Sequence, residues 1–91
     1  MAPAPEELDV VLLSQSDCAL CDDAKRVLDR LSREYPLSVR MRDLASPEGR
    51  DLGERAGLLF PPGLLLDGRP YSYGRVSERK LRRELDKRLG R

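Results

Sequence analysis

The chain has no histidine and only two cysteines. A closed zinc site needs about four ligands, usually cysteine or histidine, so two thiolates without an imidazole do not complete one. Asp17, Asp22 and Asp23 offer oxygens, but acids grouped this closely serve to cap and charge a helix start, and no metal is expected. Asparagine, threonine, isoleucine and tryptophan are also absent, and arginine outnumbers lysine 14 to 3. That bias fits a GC-rich genome or a hot habitat. No apolar run approaches the ~18 residues of a transmembrane helix, so no membrane contact is expected. Met1 to Glu7 lack both the basic segment and the apolar stretch of a secretory signal, which points to the cytoplasm. Their proline, alanine and glutamate content predicts a flexible tail over residues 1–7, followed by a single domain over 8–91.

With 91 residues there is room for one sheet and a few helices, burying roughly 60–65% of the unfolded surface. Charge is unevenly spread. Residues 1–36 hold 4 basic and 8 acidic side chains, whereas residues 75–91 hold 8 basic and 3 acidic. A basic terminal helix attracts an acidic partner or a phosphate backbone. Glu78, Glu84 and Asp86 interrupt this one, however, and no aromatic stacking residues accompany it. The expectation is a solvated helix face and no nucleic-acid partner.

The two cysteines are three apart, in Cys18-Ala19-Leu20-Cys21. A disulfide across so short a loop barely constrains the unfolded chain, so stapling is not its purpose. Redox chemistry and two inert thiols remain, and the surroundings decide between them. Leu8 to Gln15 contain the unbroken apolar run Val10–Leu13, the pattern of a strand buried on both faces. After the polar turn Ser14–Asp17, apolar residues recur as Leu20, Ala24, Val27, Leu28, Leu31 and Tyr35, at the spacing of one helix over roughly 18–34. Ser16 or Asp17 is the expected N-cap, and Pro36 ends the helix.

Cys18 therefore falls at a helix N-terminus, where unpaired N–H groups and the helix dipole favour a thiolate. Asp17 opposes this by like charge, so a modest lowering of the thiol pKa is expected. Cys21, one turn inside, lies within reach of Cys18. These positions suit an attacking Cys18 and a resolving Cys21 in thiol–disulfide exchange.

Downstream, Leu37, Val39 and Met41 alternate with Ser38, Arg40 and Arg42, predicting an edge strand with one face buried. Ser46-Pro47-Glu48 opens a short helix of about 47–56 that ends near Gly57. Leu64-Leu65-Leu66, the turn pair Asp67-Gly68 and a strand of about 69–73 with Tyr71 and Tyr73 predict a hairpin. The two tyrosines either line a groove or pack. Gly74 breaks the second strand, and Ser77 caps a last helix carrying Leu81, Leu85 and Leu89 along one stripe. The order is βαβαββα.

A Cys-x-x-Cys at a strand-to-helix junction, Pro62 before Leu64-Leu65-Leu66-Asp67-Gly68, and Gly74-Arg75-Val76-Ser77-Glu78 before the last helix resemble the glutaredoxin-like family of thioredoxin-fold proteins, from about residue 8 to 89. The resemblance implies an α/β fold with a four-stranded mixed sheet and three helices. It implies a monomeric thiol-disulfide oxidoreductase acting on a protein or small-molecule disulfide. No bound cofactor is implied, and the reductant would be glutathione or a thioredoxin-reductase-type donor. A cis-proline faces the cysteines in this family, which Pro62 matches by its spacing to Asp67-Gly68, and adjoining backbone pairs with the substrate. Pro61, Pro62, Gly74 and Arg75 become the substrate-binding candidates beside Cys18 and Cys21. Pro61 departs from the pattern by having no N–H to donate, leaving only its carbonyl. Ala19-Leu20 replaces the usual Pro-Tyr or Gly-Pro, and the family's second glycine and acidic pair are reduced to Arg75-Val76-Ser77-Glu78, where Arg75 supplies a charge for the glutathione carboxylate. The same resemblance also admits a non-catalytic binding module, or a dimeric carrier holding a metal or iron-sulfur cluster between two cysteine pairs.

Overall fold

The computed structural model describes residues 7–91. Residues 1–6 of the expected N-terminal tail lie outside the described residues, and Glu7 is exposed and belongs to no element. Seven elements follow: β1 (Leu8–Ser14), α1 (Ala19–Ser32), β2 (Leu37–Asp43), α2 (Pro47–Arg55), β3 (Gly63–Leu66), β4 (Arg69–Tyr73) and α3 (Glu78–Arg88). The sheet order is β2-β1-β3-β4. β1 and β2 run parallel, and β1–β3 and β3–β4 are antiparallel.

The apolar run of β1 makes it the central strand, and its two faces feed two cores. Leu8, Val10 and Leu12 pack with Leu64 and Leu66 of β3, with Ala24, Val27, Leu28 and Leu31 of α1, and with Leu81 and Leu85 of α3. Val11, Leu13 and Leu65 face the other way, against Leu44, Leu52, Ala56 and Leu58 around α2. Alternation along a strand sends successive side chains to opposite faces, so Leu8 and the run Val10–Leu13 of β1 serve both layers.

Turns and caps fix the connections. Asp67 and Gly68 have φ of 50° and 81°, the left-handed pair of a two-residue hairpin turn. The turn is tied back to β1, since the Asp67 N–H donates to the Asp9 carbonyl and the Asp9 N–H to Asp67 Oδ1. Pro70 is tolerated because β4 is an edge strand. Ser46 caps α2 by accepting from the Gly49 N–H at 3.0 Å, and Ser77 caps α3 by accepting from the Lys80 N–H at 3.2 Å.

Ion pairs and a hydrogen bond then set α3 against α1. Arg30 holds Glu78 at 2.7 Å, Arg82 holds Glu34, and the Tyr35 hydroxyl donates to Asp86 at 2.6 Å. Exposed pairs of this kind contribute little singly; the first joins the two helices themselves, and the other two tie α3 to Glu34 and Tyr35 in the turn that follows α1.

Two expectations are corrected. The alternation in β2 predicts a buried face, yet Val39 is 37% and Met41 50% exposed. Both lie on the side of the sheet that α1 covers, but β2 is an edge strand, and their side chains line an open cleft beside Leu28 and Ser32 of α1 instead of being enclosed by it. Second, neither Ser16 nor Asp17 caps α1. Asp17 takes a left-handed conformation (φ 54°), and Cys18 in extended conformation occupies the cap.

Candidate active site

One end of the sheet gathers the chemistry. Leu13 is paired with Gly63, Gly63 with Tyr73, and Ser14 with Asp43. The loop leaving β1 to Cys18, the Pro61–Pro62 segment entering β3 and the Gly74–Arg75 segment leaving β4 therefore emerge together at that end. In sheets of this kind, segments beyond the strand ends are free to face a ligand while the strands stay rigid.

Cys18 and Cys21 are joined as a disulfide with their α-carbons 5.2 Å apart. The Cys21 N–H donates to Cys18 Sγ at 3.1 Å. The sulfur thus occupies the position that a serine or aspartate oxygen takes in an ordinary N-cap. Residue 18 is half-exposed, whereas Cys21 is fully buried. Among side chains at the helix start, Asp22 faces Lys25 and Asp23 pairs with Arg26. Those acids are part of the helix surface, and among the described residues no cluster of three or more metal-ligating side chains forms.

The Pro61–Pro62 peptide is cis, and Pro62 is buried. Gly74 supports this loop directly, its N–H donating to the Pro62 carbonyl at 2.8 Å. With φ of 82°, Gly74 occupies a conformation open chiefly to glycine. Pro61 is half-buried and Arg75 exposed. Of the substrate-binding candidates, Gly74 is thus buried behind the loop with its N–H committed, while Pro61 and Arg75 stand at the surface.

Sequence reasoning passed over Leu59 and Phe60, which are 75% and 52% exposed. The Phe60 ring meets Tyr73 edge to face, with centroids 5.0 Å apart. A shallow cleft of about 220 Å³ runs between α2 and this segment, lined by Leu44, Gly53, Leu59, Phe60 and Pro61 among others. The available signal was an apolar Leu58-Leu59-Phe60 triplet placed before two prolines, outside any strand. Tyr71 divides from Tyr73 here. It packs partly buried against the larger core, and burial pushes its phenol pKa up.

The chemistry open to this arrangement is disulfide exchange at one accessible sulfur. One backbone donor, the Cys21 N–H, points at that sulfur at the start of a helix, a setting that in general favours a thiolate over a thiol, and the buried partner sulfur is bonded to it.

The family model of the glutaredoxin-like domain (DUF836) matches residues 9–86. No curated protein matches the sequence. Among solved structures, a mutant thioredoxin from Halobacterium salinarum NRC-1 superposes with a TM-score of 0.72 at 20% identity, covering 90% of this chain and 74% of that one. Oxidised mitochondrial thioredoxin 3 from Saccharomyces cerevisiae superposes with a TM-score of 0.67 at 16% identity, covering 88% and 77% respectively. At such identities the likeness concerns the fold, which is thioredoxin-like.

Proposed function

The chain belongs to the glutaredoxin-like domain family, and on that premise we propose that it is a thiol-disulfide oxidoreductase with Cys18 as nucleophile and Cys21 as resolving thiol. The observation that carries the assignment is the asymmetry of the pair. Cys18 Sγ caps the helix at a half-exposed position, while Cys21 is fully buried.

In the reduced protein, the Cys18 thiolate attacks one sulfur of a substrate disulfide and expels the other as a thiolate, which takes up a proton. The resulting mixed disulfide is then attacked at Cys18 Sγ by the deprotonated Cys21, releasing the second substrate thiol. Two electrons pass to the substrate, and the Cys18–Cys21 bond forms. Return to the dithiol requires an external thiol donor, for which glutathione and a thioredoxin-reductase-type enzyme are the candidates.

The Pro61–Pro62 segment emerges at the same end of the sheet as the loop to Cys18, and on this reading the Pro61 carbonyl is the group offered to an extended substrate segment. The burial of Cys21 disfavours a carrier in which both thiolates bind a metal shared between two chains, since that ligand would have to be unburied first.

Catalysed reduction of insulin disulfides tests the reading. The wild type should accelerate it with a dithiol donor, and Cys18→Ser should abolish the acceleration. Running glutathione with glutathione reductase beside thioredoxin reductase identifies the donor. Equal activity of the wild type and Cys18→Ser would refute the assignment.

A further inference from the structure

The outward face of α3 carries an unmatched row of positive charge. Leu81 and Leu85 bury the inner side of the helix, with Leu89 packed beside them just past its end. At 3.6 residues per turn, Arg79, Lys80, Arg83 and Lys87 cluster on the opposite side, and all four are exposed. None of the three acids of α3 lies in this row, and each is already engaged. Glu78 is held by Arg30 and Arg82, Asp86 by the Tyr35 hydroxyl, and Glu84 by Arg88. Lys87 acts on Glu84 only through space. Among the described residues, none of the four outward cations forms an ion pair.

Stability does not account for this placement. Elsewhere the helices match arginine with an acid four positions away, as in Arg33–Asp29, Arg55–Asp51 and Arg88–Glu84. Along the outward row the like-charged neighbours Arg79–Arg83 and Arg83–Lys87 repel, and the acids at three or four positions from the row, Glu84 from Lys80 and Lys87 and Asp86 from Arg83, are turned to Arg88 and Tyr35 instead. Arg79 and Lys80 also stand in the first turn, where the helix dipole disfavours cations. The face thus carries four exposed cations that close no ion pair among the described residues, a field to which an outside anion is drawn.

We propose that this face docks an acidic protein surface and that the protein bearing it is the redox partner of Cys18; the partner's role, though not the docking, rests on the oxidoreductase assignment. The connection to the site is short. Gly74, which supports the Pro62 loop, precedes Glu78 by four Cα steps, or about 15 Å of chain at most. A partner held by Arg79 and Lys80, at the N-terminal end of α3, is therefore within that length of chain of the Gly74–Arg75 segment, and the rest of the row runs on away from the site toward Arg88. A protein fits better than a single-stranded nucleic acid because the row contains no aromatic side chain for base stacking, and duplex DNA is set against it in the experiment below.

Two disulfide peptides with identical residues around the bond, one extended by a run of glutamates and one by serines, test the proposal. The wild type should reduce the glutamate peptide roughly ten-fold faster at low salt, with the advantage lost at high salt. Changing Arg79→Ser, Lys80→Ser, Arg83→Ser and Lys87→Ser together should remove the advantage and leave the serine peptide's rate unchanged. If that variant fails to fold, a lysine-extended peptide on the wild type gives the same information, and should react more slowly than the serine peptide. Equal rates for the glutamate and serine peptides, or tighter binding of duplex DNA than of the glutamate peptide, would overturn the proposal. If no peptide is reduced, the enzymatic reading fails by itself. Fluorescence anisotropy with the glutamate peptide, its cysteines replaced by serine, then decides the docking face separately.

Discussion

Phe60 lies over Gly74 so closely that a β-carbon on the glycine would stand 2.7 Å from Phe60 Cε2. Gly74→Ala therefore meets two penalties, a left-handed backbone and a displaced ring, in the loop that holds Pro62. A loss of about 1–3 kcal/mol is expected. Adding Phe60→Ala should recover only the steric part. Urea unfolding of the single and double variants checks this, and a Gly74→Ala protein as stable as the wild type would contradict it.

Gly49 and Gly57 should separate sharply on substitution by alanine. At Gly49 a β-carbon would fall 1.9 Å from the Asp43 carbonyl oxygen, and backbone meeting backbone leaves no flexible atom to yield. Around Gly57 nothing lies within 4 Å, so only its φ of 69° is strained. The expected costs are more than ~3 kcal/mol for Gly49→Ala and about 1 kcal/mol for Gly57→Ala. Chemical denaturation ranks them, and comparable losses at both positions would show that Gly49 does not lie against the Asp43 carbonyl.

Acid should weaken the ion pairs of α3, both within the helix and to α1 and the turn after it. Hydrogen bonds from Arg82, Arg30 and Arg88 hold the carboxyls of Glu34, Glu78 and Glu84 below the ordinary glutamate value of 4.5. A carboxyl whose folded pKa is depressed binds fewer protons in the native state than in the unfolded one. Its contribution is therefore complete above the unfolded value and is lost as pH falls through the folded value. Thermal stability should decline below about pH 4.5, and Glu78→Gln should show a shallower decline. All three carboxyls are well solvated and screened by salt, so the effect should shrink at high ionic strength.

The Cys18 thiol of the reduced protein should ionise below the ordinary cysteine value, because the helix dipole and the Cys21 N–H favour the anion. Asp17→Asn removes a neighbouring negative charge while keeping a residue that tolerates a left-handed backbone, and should lower the value further. Iodoacetamide reactivity against pH measures both. An unchanged profile in Asp17→Asn would show that the carboxylate is too well solvated to act on the thiol.

Order and type of every element were legible in the sequence because local signals agreed. An apolar run made β1, a threefold and fourfold apolar spacing made α1, and Asp67-Gly68 joined β3 to β4. The exposure of Val39 and Met41 was not legible, since alternation tells which residues share a face but not whether a helix reaches over it. The cap of α1 was missed for a chemical reason. Ser16 and Asp17 are the usual cap formers, but the left-handed turn at Asp17 delays the helix by a residue and gives the cap to sulfur. The spacing of the cysteines was visible from the start, whereas their unequal burial depends on packing against both the sheet and α1. The apolar surface of Leu59 and Phe60 likewise depends on where the loop folds back, which no periodicity encodes.

The assignment of roles to the two cysteines is tested most directly by intact-mass analysis of single variants mixed with a disulfide peptide. Cys21→Ser should accumulate a stable peptide adduct on Cys18, and Cys18→Ser should remain unmodified because its remaining thiol is buried. An adduct on Cys21, or none on either variant, would contradict the account.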